Sequence, residues 1–165
     1  MAHRRKKQIR KDNQMPNRLQ RLEYVWELNP RYFITICTYN RLSTLNKPDV
    51  FEILQNELSE SLARHGWAIG SFCVMPDHIH FFCTDAEQGV QLSTFMQAWK
   101  QWTSKRIKRV LDVNHPIWQK GFFDHLLRSS ESYSEKWEYV RQNPVRAGLT
   151  KNANDWKFSG YVDYK

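Results

Sequence analysis

Residues 67–84, Trp67-Ala-Ile-Gly-Ser-Phe-Cys-Val-Met-Pro-Asp-His-Ile-His-Phe-Phe-Cys-Thr84, decide the fold. Trp67 to Met75 is rich in apolar and aromatic residues and reads as a strand. Pro76-Asp77 marks a turn, and His78 to Thr84 reads as the next strand, so the two form an antiparallel hairpin. Upstream, Tyr32 to Tyr39 carries the same β-branched and aromatic signature. Between them, Val50, Ile53, Leu54, Leu58 and Leu62 recur at helical spacing, which predicts a helix from Asp49 to Arg64, started by Pro48-Asp49 and stopped by Gly66. Downstream, Leu92, Phe95, Met96, Trp99, Ile107 and Val110 form the apolar stripe of a longer helix over 92–113. Pro116 to Phe123 reads as an irregular or extended link. A last helix starts near Ser132, where Ser132-x-x-Glu135 has capping-box spacing, and stops at Asn143 before Pro144, with Gly148 reinforcing the end. This order is α+β, compatible with a small antiparallel sheet covered by helices on one face.

The chain has 165 residues, suited to one domain of about 150 residues with a tail. Its 41% apolar and 25% charged residues exclude a fibrous or fully disordered chain. No run approaches the ~18 apolar residues of a membrane span, and the basic N-terminus has no apolar core of a secretory signal behind it. Cys37, Cys73 and Cys83 are odd in number and lack Cys-x-x-Cys spacing, which points to small buried side chains and a reducing cytoplasm. The net charge is +8, yet residues 1–21 hold eight basic groups, Arg4, Arg5, Lys6 and Lys7 among them, against Asp12 alone. Residues 1–22 therefore read as a disordered basic tail and 23–165 as the domain. Such an arm neutralises phosphates without reading sequence, or merely solubilises. A second cluster, Lys100, Lys105, Arg106, Lys108 and Arg109, lies on the long helix and reads as either a nucleic-acid footprint or a solvated helix face.

His78-Ile79-His80 places two imidazoles on one face of a strand, where they can form two corners of a metal site. Taken alone, the pair fits a solvated sheet face equally well. On the last helix Tyr139 and Asn143 are i and i+4 and share a face, whereas Tyr133, Trp137 and Val140 form its apolar side. A phenol can form a covalent ester with phosphorus, although with a pKa near ~10 it needs assistance. A cation at the histidines could supply that assistance, and the Asn143 amide oxygen could be a third ligand. Asn143 is equally suited to closing a helix end.

Val74-Met-Pro-Asp-His-Ile-His80 resembles the signature of the HUH single-tyrosine transposases, and more closely their REP-associated tyrosine transposase branch. Trp118-Gln-Lys-Gly-Phe-Phe-Asp-His125 with Arg128, Tyr139-Val-Arg-Gln-Asn-Pro-Val-Arg-Ala-Gly-Leu149 and Trp156-Lys-Phe-Ser159 are similar to three further blocks of that branch, in order across residues 31–160. The resemblance implies a ferredoxin-like HUH fold, metal (Mg²⁺ or Mn²⁺) at His78, His80 and Asn143, and attack by Tyr139. It also implies a single-stranded DNA substrate beside a hairpin of repetitive extragenic palindromic elements. Asp77 is given no role. His125 and Arg128 fit the block as neighbours of DNA or as packing.

The reading is thus a metal-dependent single-strand DNA endonuclease and strand transferase that passes through a 5′-phosphotyrosine link. It is expected in the cytoplasm, off the membrane, with a monomer slightly favoured. Some aromatic residues are available to stack unpaired bases, while most are core. The alternatives are a non-catalytic hairpin DNA- or RNA-binding regulator that keeps the fold, and a replication or conjugation nickase.

Overall fold

Strand β1 (Arg31–Cys37) alternates its side chains between two buried faces, and this alternation organises the molecule. The computed structural model describes residues 30–86, 89–128 and 133–164; the basic tail lies outside them. Tyr32, Ile34 and Ile36 enter one apolar cluster, and Phe33 enters a second. β3 (His78–Asp85) pairs antiparallel with β1 and repeats the division: Ile79, Phe81 and Cys83 go to the first cluster, and Phe82 to the second.

β2 (Trp67–Met75) closes the hairpin with β3, as expected from its sequence, but its register shifts between Ile69 and Phe72. The irregularity inverts the parity of the strand. Trp67 and Ile69 point to the first cluster before it, and Phe72 and Val74 do so after it. The Ser71 N–H at this point donates to the Tyr133 hydroxyl at 2.8 Å. Gly70 is required there by close approach, because a Cβ would lie 2.6 Å from the Tyr164 ring and 2.8 Å from the Tyr133 hydroxyl. Gly70→Ala should therefore lower stability by about 1–3 kcal/mol through overpacking. Urea unfolding checks this, and an unchanged midpoint would show that the two tyrosines yield without strain.

Helix α1 (Pro48–Ser59) begins with Pro in its first turn and buries Val50, Leu54 and Leu58. The single helix expected over 49–64 breaks at Glu60 and resumes as α2 (Ser61–His65). The Ser61 hydroxyl donates back to the Glu57 carbonyl at 2.8 Å, a bond that bends helices. Gly66, at φ 75°, ends α2. Helix α3 (Leu92–Leu111) buries Leu92, Phe95, Met96, Trp99, Thr103 and Ile107 on the first cluster. Val110, expected in that stripe, is instead exposed; Leu111 and Val113 pack in its place as the chain leaves the helix through Asp112, at φ 51°.

Two strands were not legible in the sequence. β4 (Phe123–Leu127) emerges from the 116–122 link and pairs with β1, and β5 (Ser159–Tyr161) pairs with β2. The sheet order is β4-β1-β3-β2-β5, with every neighbouring pair antiparallel. Its β1-α1-β2-β3-α3-β4 portion is the split βαβ of ferredoxin-like folds, with α1 and α3 packed on the first cluster.

Helices do not cover one face only. α4 (Tyr133–Arg141) puts Tyr133, Trp137 and Val140 on the second cluster with Phe33, Cys73, Met75 and Phe82, on the opposite face of the sheet. The near-continuous apolar run of β2 has this cause: the strand is buried on both sides. A helical turn, α5 (Asn143–Arg146), follows. No helix among the described residues is long and apolar enough to cross a membrane.

Candidate active site

Ile79 anchors β3 to the main core, so its neighbours His78 and His80 both face the α4 side of the sheet. Their ring centroids are 4.6 Å apart with planes at 80°. Each ring is held through Nδ1. His80 Nδ1 lies 2.8 Å from the Thr35 hydroxyl, its register partner on β1, and its ring stacks on Phe33 at 5.2 Å. His78 Nδ1 lies 2.6 Å from Asp77 Oδ1, whose other oxygen pairs with Arg41 Nε at 2.8 Å. A second partner on Nδ1 is how proteins fix an imidazole so that Nε2 presents its lone pair to a ligand.

Burial pulls the pKa of His80 down to about 3, aided by nearby His78, Lys136 and Arg41. Burial also lowers that of His78, against the opposing pull of its Asp77 bond. Burial thus favours the neutral form of both rings, which keeps a free electron pair.

α4 packs on the same face of the sheet as this pair. Tyr133 and Val140 seat it on the sheet, and Lys136 places its ammonium 5.0 Å over the Phe33 ring that stacks on His80. Tyr139, three residues after Lys136, is 63% exposed, the highest value among the large apolar and aromatic side chains described. Tyr133, the other tyrosine of the helix, is committed to packing: its ring lies 4.4 Å from Phe82 and its hydroxyl takes the Ser71 N–H.

The helix expected to run to Asn143 ends at Arg141. Asn143 opens α5, with Pro144 in the first turn, where the missing N–H does no harm. Gln142 keeps a helical conformation between the two helices. Arg146 draws Tyr139 and Asn143 together. Its guanidinium lies 4.0 Å over the Tyr139 ring, donates to the Tyr139 carbonyl at 2.8 Å, and donates to Asn143 Oδ1.

The basic cluster of α3 is elsewhere. α3 covers the opposite face of the sheet from the histidines. Lys100 is half-buried and donates to the carbonyls of Gln119 and Gly121, Arg106 reaches the buried Glu57 at 3.9 Å, and Lys108 donates to the Asn114 carbonyl at 3.2 Å. Lys105 and Arg109 are exposed. Arg4, Arg5, Lys6 and Lys7 lie outside the described residues. His125 pairs with Phe33 across β4 and β1 and so faces the histidine side, and Arg128 is exposed just beyond β4.

Sequence reasoning missed Thr35, Asp77, Arg41 and Arg146, the groups that hold the site in place. For Asp77 a signal existed, a carboxylate adjoining His78. For Thr35 none did, because only strand register brings it to His80. Of the three cysteines, Cys73 and Cys83 are buried as expected, while Cys37 is partly exposed beside Arg41.

The sequence profile of the family described as "Transposase IS200 like" matches residues 25–143, from before β1 through Asn143. The chain belongs to the IS200-like transposase family. Its relatives in this family include a REP-associated tyrosine transposase of Escherichia coli K12, 26% identical over 130 residues that cover 79% of this chain and 75% of that protein. Among solved structures, a REP-associated tyrosine transposase bound to a REP hairpin matches with a TM-score of 0.64 at 24% identity, covering 79% of this chain and 75% of that one. A Deinococcus radiodurans structure assigned as a candidate transposase matches with a TM-score of 0.53 at 20% identity, over 78% and 97% of the two chains. The four sequence blocks thus led to the right family, and the IS200-like match spans both histidines, Tyr139 and Asn143.

Proposed function

We propose that this IS200-like transposase cuts and rejoins single-stranded DNA beside a hairpin, with Tyr139 as nucleophile. One observation carries the reading most directly: a pair of desolvated imidazoles, each tethered through Nδ1, shares a sheet face with the helix whose one strongly exposed aromatic is Tyr139. A solvated sheet face would give the two histidines no reason to be desolvated.

The donor set fits a divalent cation, Mg²⁺ or Mn²⁺. His78 and His80 would each offer Nε2, and Asn143 its amide oxygen, which keeps a second lone pair beside the one taken by Arg146. When bound, the cation polarises a non-bridging phosphate oxygen and offsets the charge that builds up on the phosphoryl group. Tyr139 then attacks phosphorus through its hydroxyl. The phenolic proton is released, the P–O3′ bond breaks, and the departing 3′-oxygen takes up a proton. The 5′-phosphate stays on Tyr139 as an ester, so a second 3′-hydroxyl can reverse the step and join strands. A purely binding regulator would need neither the exposed phenol nor the tethered imidazoles.

The deciding assay incubates the protein with a hairpin oligonucleotide bearing an unpaired flank, plus Mg²⁺ or Mn²⁺, and separates the products under denaturing conditions. A protein–DNA adduct that survives denaturation is expected. Tight hairpin binding with no adduct in either metal would favour the regulator.

The basic segment 1–21 and the exposed Lys105 and Arg109 supply affinity through phosphates without reading sequence. Each phosphate contact on a single strand contributes a slope of about −0.7 in log K against log salt. Deleting residues 1–21 should weaken binding to all sequences alike and flatten that slope, as a salt titration by fluorescence anisotropy would show. A changed sequence preference at an unchanged slope would contradict this role.

A further inference from the structure

Phe122 and Phe123 point in opposite directions as the chain enters β4. Phe122 packs against the main core, while Phe123 turns to the histidine side and remains 59% exposed. Strand register fixes its neighbours: Phe123 pairs with Thr35, and Thr35 pairs with His80, so the three form one row across the sheet on one face. Two strand spacings put Phe123 about 10 Å from His80 along that row. β4 is the edge strand, so nothing in the sheet lies beyond it.

The segment leading to Phe123 is held rigidly. The Gln119 N–H donates to the Cys37 carbonyl at 2.9 Å, Trp118 is buried and bridged to Thr38, and Lys100 reaches across from α3 to bind the Gln119 and Gly121 carbonyls. The surroundings are cationic. Lys120 and Arg128 are exposed on either side of β4, and Lys136 stands over Phe33 on the same face. The acid of β4, Asp124, pairs with Ile34 and so belongs to the opposite face.

From these observations we infer that Phe123 is a stacking platform for an unpaired DNA base flanking the phosphate held at His78 and His80, a positioning residue for the cleavage reaction. The inference rests on the single-strand DNA reading of the site and adds to it which side of the site the unpaired flank follows: toward the β4 edge. A rigid, solvent-exposed aromatic ring flanked by cations accepts any base by its π-face and pays little ordering entropy. The role also explains why Lys100 spends its charge on two carbonyls: it braces the platform from behind.

The test compares wild type, Phe123→Ala, Phe123→Leu and Phe123→Trp on a hairpin with an unpaired flank and on the same hairpin without it. 2-Aminopurine is placed in turn at each flank position. Phe123→Ala and Phe123→Leu should weaken binding of the flanked hairpin by about 5- to 150-fold, leave the unflanked hairpin unchanged, and lose the fluorescence quenching at one position. Phe123→Trp should retain both affinity and quenching. The exposed ring predicts an unchanged melting temperature in all three variants. Equal affinity and quenching in wild type and Phe123→Ala would overturn the platform, as would an equal loss on both hairpins. The adduct formed by wild type separates the two readings. Adduct with a silent Phe123 sinks the platform alone, whereas flank-specific loss without any wild-type adduct sinks cleavage and leaves the platform standing.

Discussion

Tyr139→Phe is expected to abolish the denaturation-resistant DNA adduct, with cleavage falling by roughly three orders of magnitude or more, as removal of an enzyme nucleophile does. Hairpin binding should persist, because the ring keeps its place under the Arg146 guanidinium and only the hydroxyl is lost. The informative control is Tyr133→Phe on the same helix. That change removes the acceptor of the Ser71 N–H and leaves a buried donor unpaired, so it should lower stability by about 1–3 kcal/mol while the adduct still forms. Denaturing electrophoresis and thermal melts of the two variants read both effects. Adduct from Tyr139→Phe but none from folded Tyr133→Phe would exchange the roles assigned to the two tyrosines.

The second large effect concerns the imidazoles. His78→Ala or His80→Ala should depress cleavage by roughly a hundredfold or more, since even the groups that merely orient a metal-bound imidazole are worth about 10- to 100-fold. Excess chelator should silence wild type equally, with activity restored by added Mg²⁺ or Mn²⁺. Asn143 belongs in the same titration. As a ligand, Asn143→Ala should raise the metal concentration for half-maximal cleavage, and Asn143→Asp should retain binding through a carboxylate oxygen. Cleavage undiminished in excess chelator would remove the metal from the reaction. A titration midpoint unmoved in both Asn143 variants, alongside lowered melting temperatures, would return Asn143 to a helix-end role.

The hairpin and its histidines were legible because their signals are local: β-branched and aromatic runs, a Pro-Asp turn, and an alternation that puts His78 and His80 on one side. Helix α3 was legible for the same reason. The short edge strands β4 and β5 were not, because five and three residues carry too little periodicity, and their pairing is set by partners far along the chain. The bulge of β2 was likewise invisible, although it decides which β2 side chains meet α4. Of the candidate site, the residue types and spacings could be read from the sequence, but the supports could not. Thr35 reaches His80 through strand register, and Phe33 stacks on it from the same strand. The α3 cluster shows the opposite limit. Sequence density left a nucleic-acid footprint and a solvated helix face both open, whereas tertiary packing diverts Lys100, Arg106 and Lys108 into contacts within the chain.

The bond from Ser71 to Tyr133 makes one amide a witness to the motion of a helix. Within α4 the fully buried side chain is Val140, so α4 rests on a narrower apolar base than α3. Each time α4 lifts from the sheet, the Ser71 amide at the bulge loses its acceptor and becomes free to exchange its hydrogen with solvent, while the ladder amides around it stay protected. Deuterium uptake at Ser71, set against that at Ile79, therefore counts departures of α4, and of Tyr139 with it, from the sheet without touching Tyr139 itself.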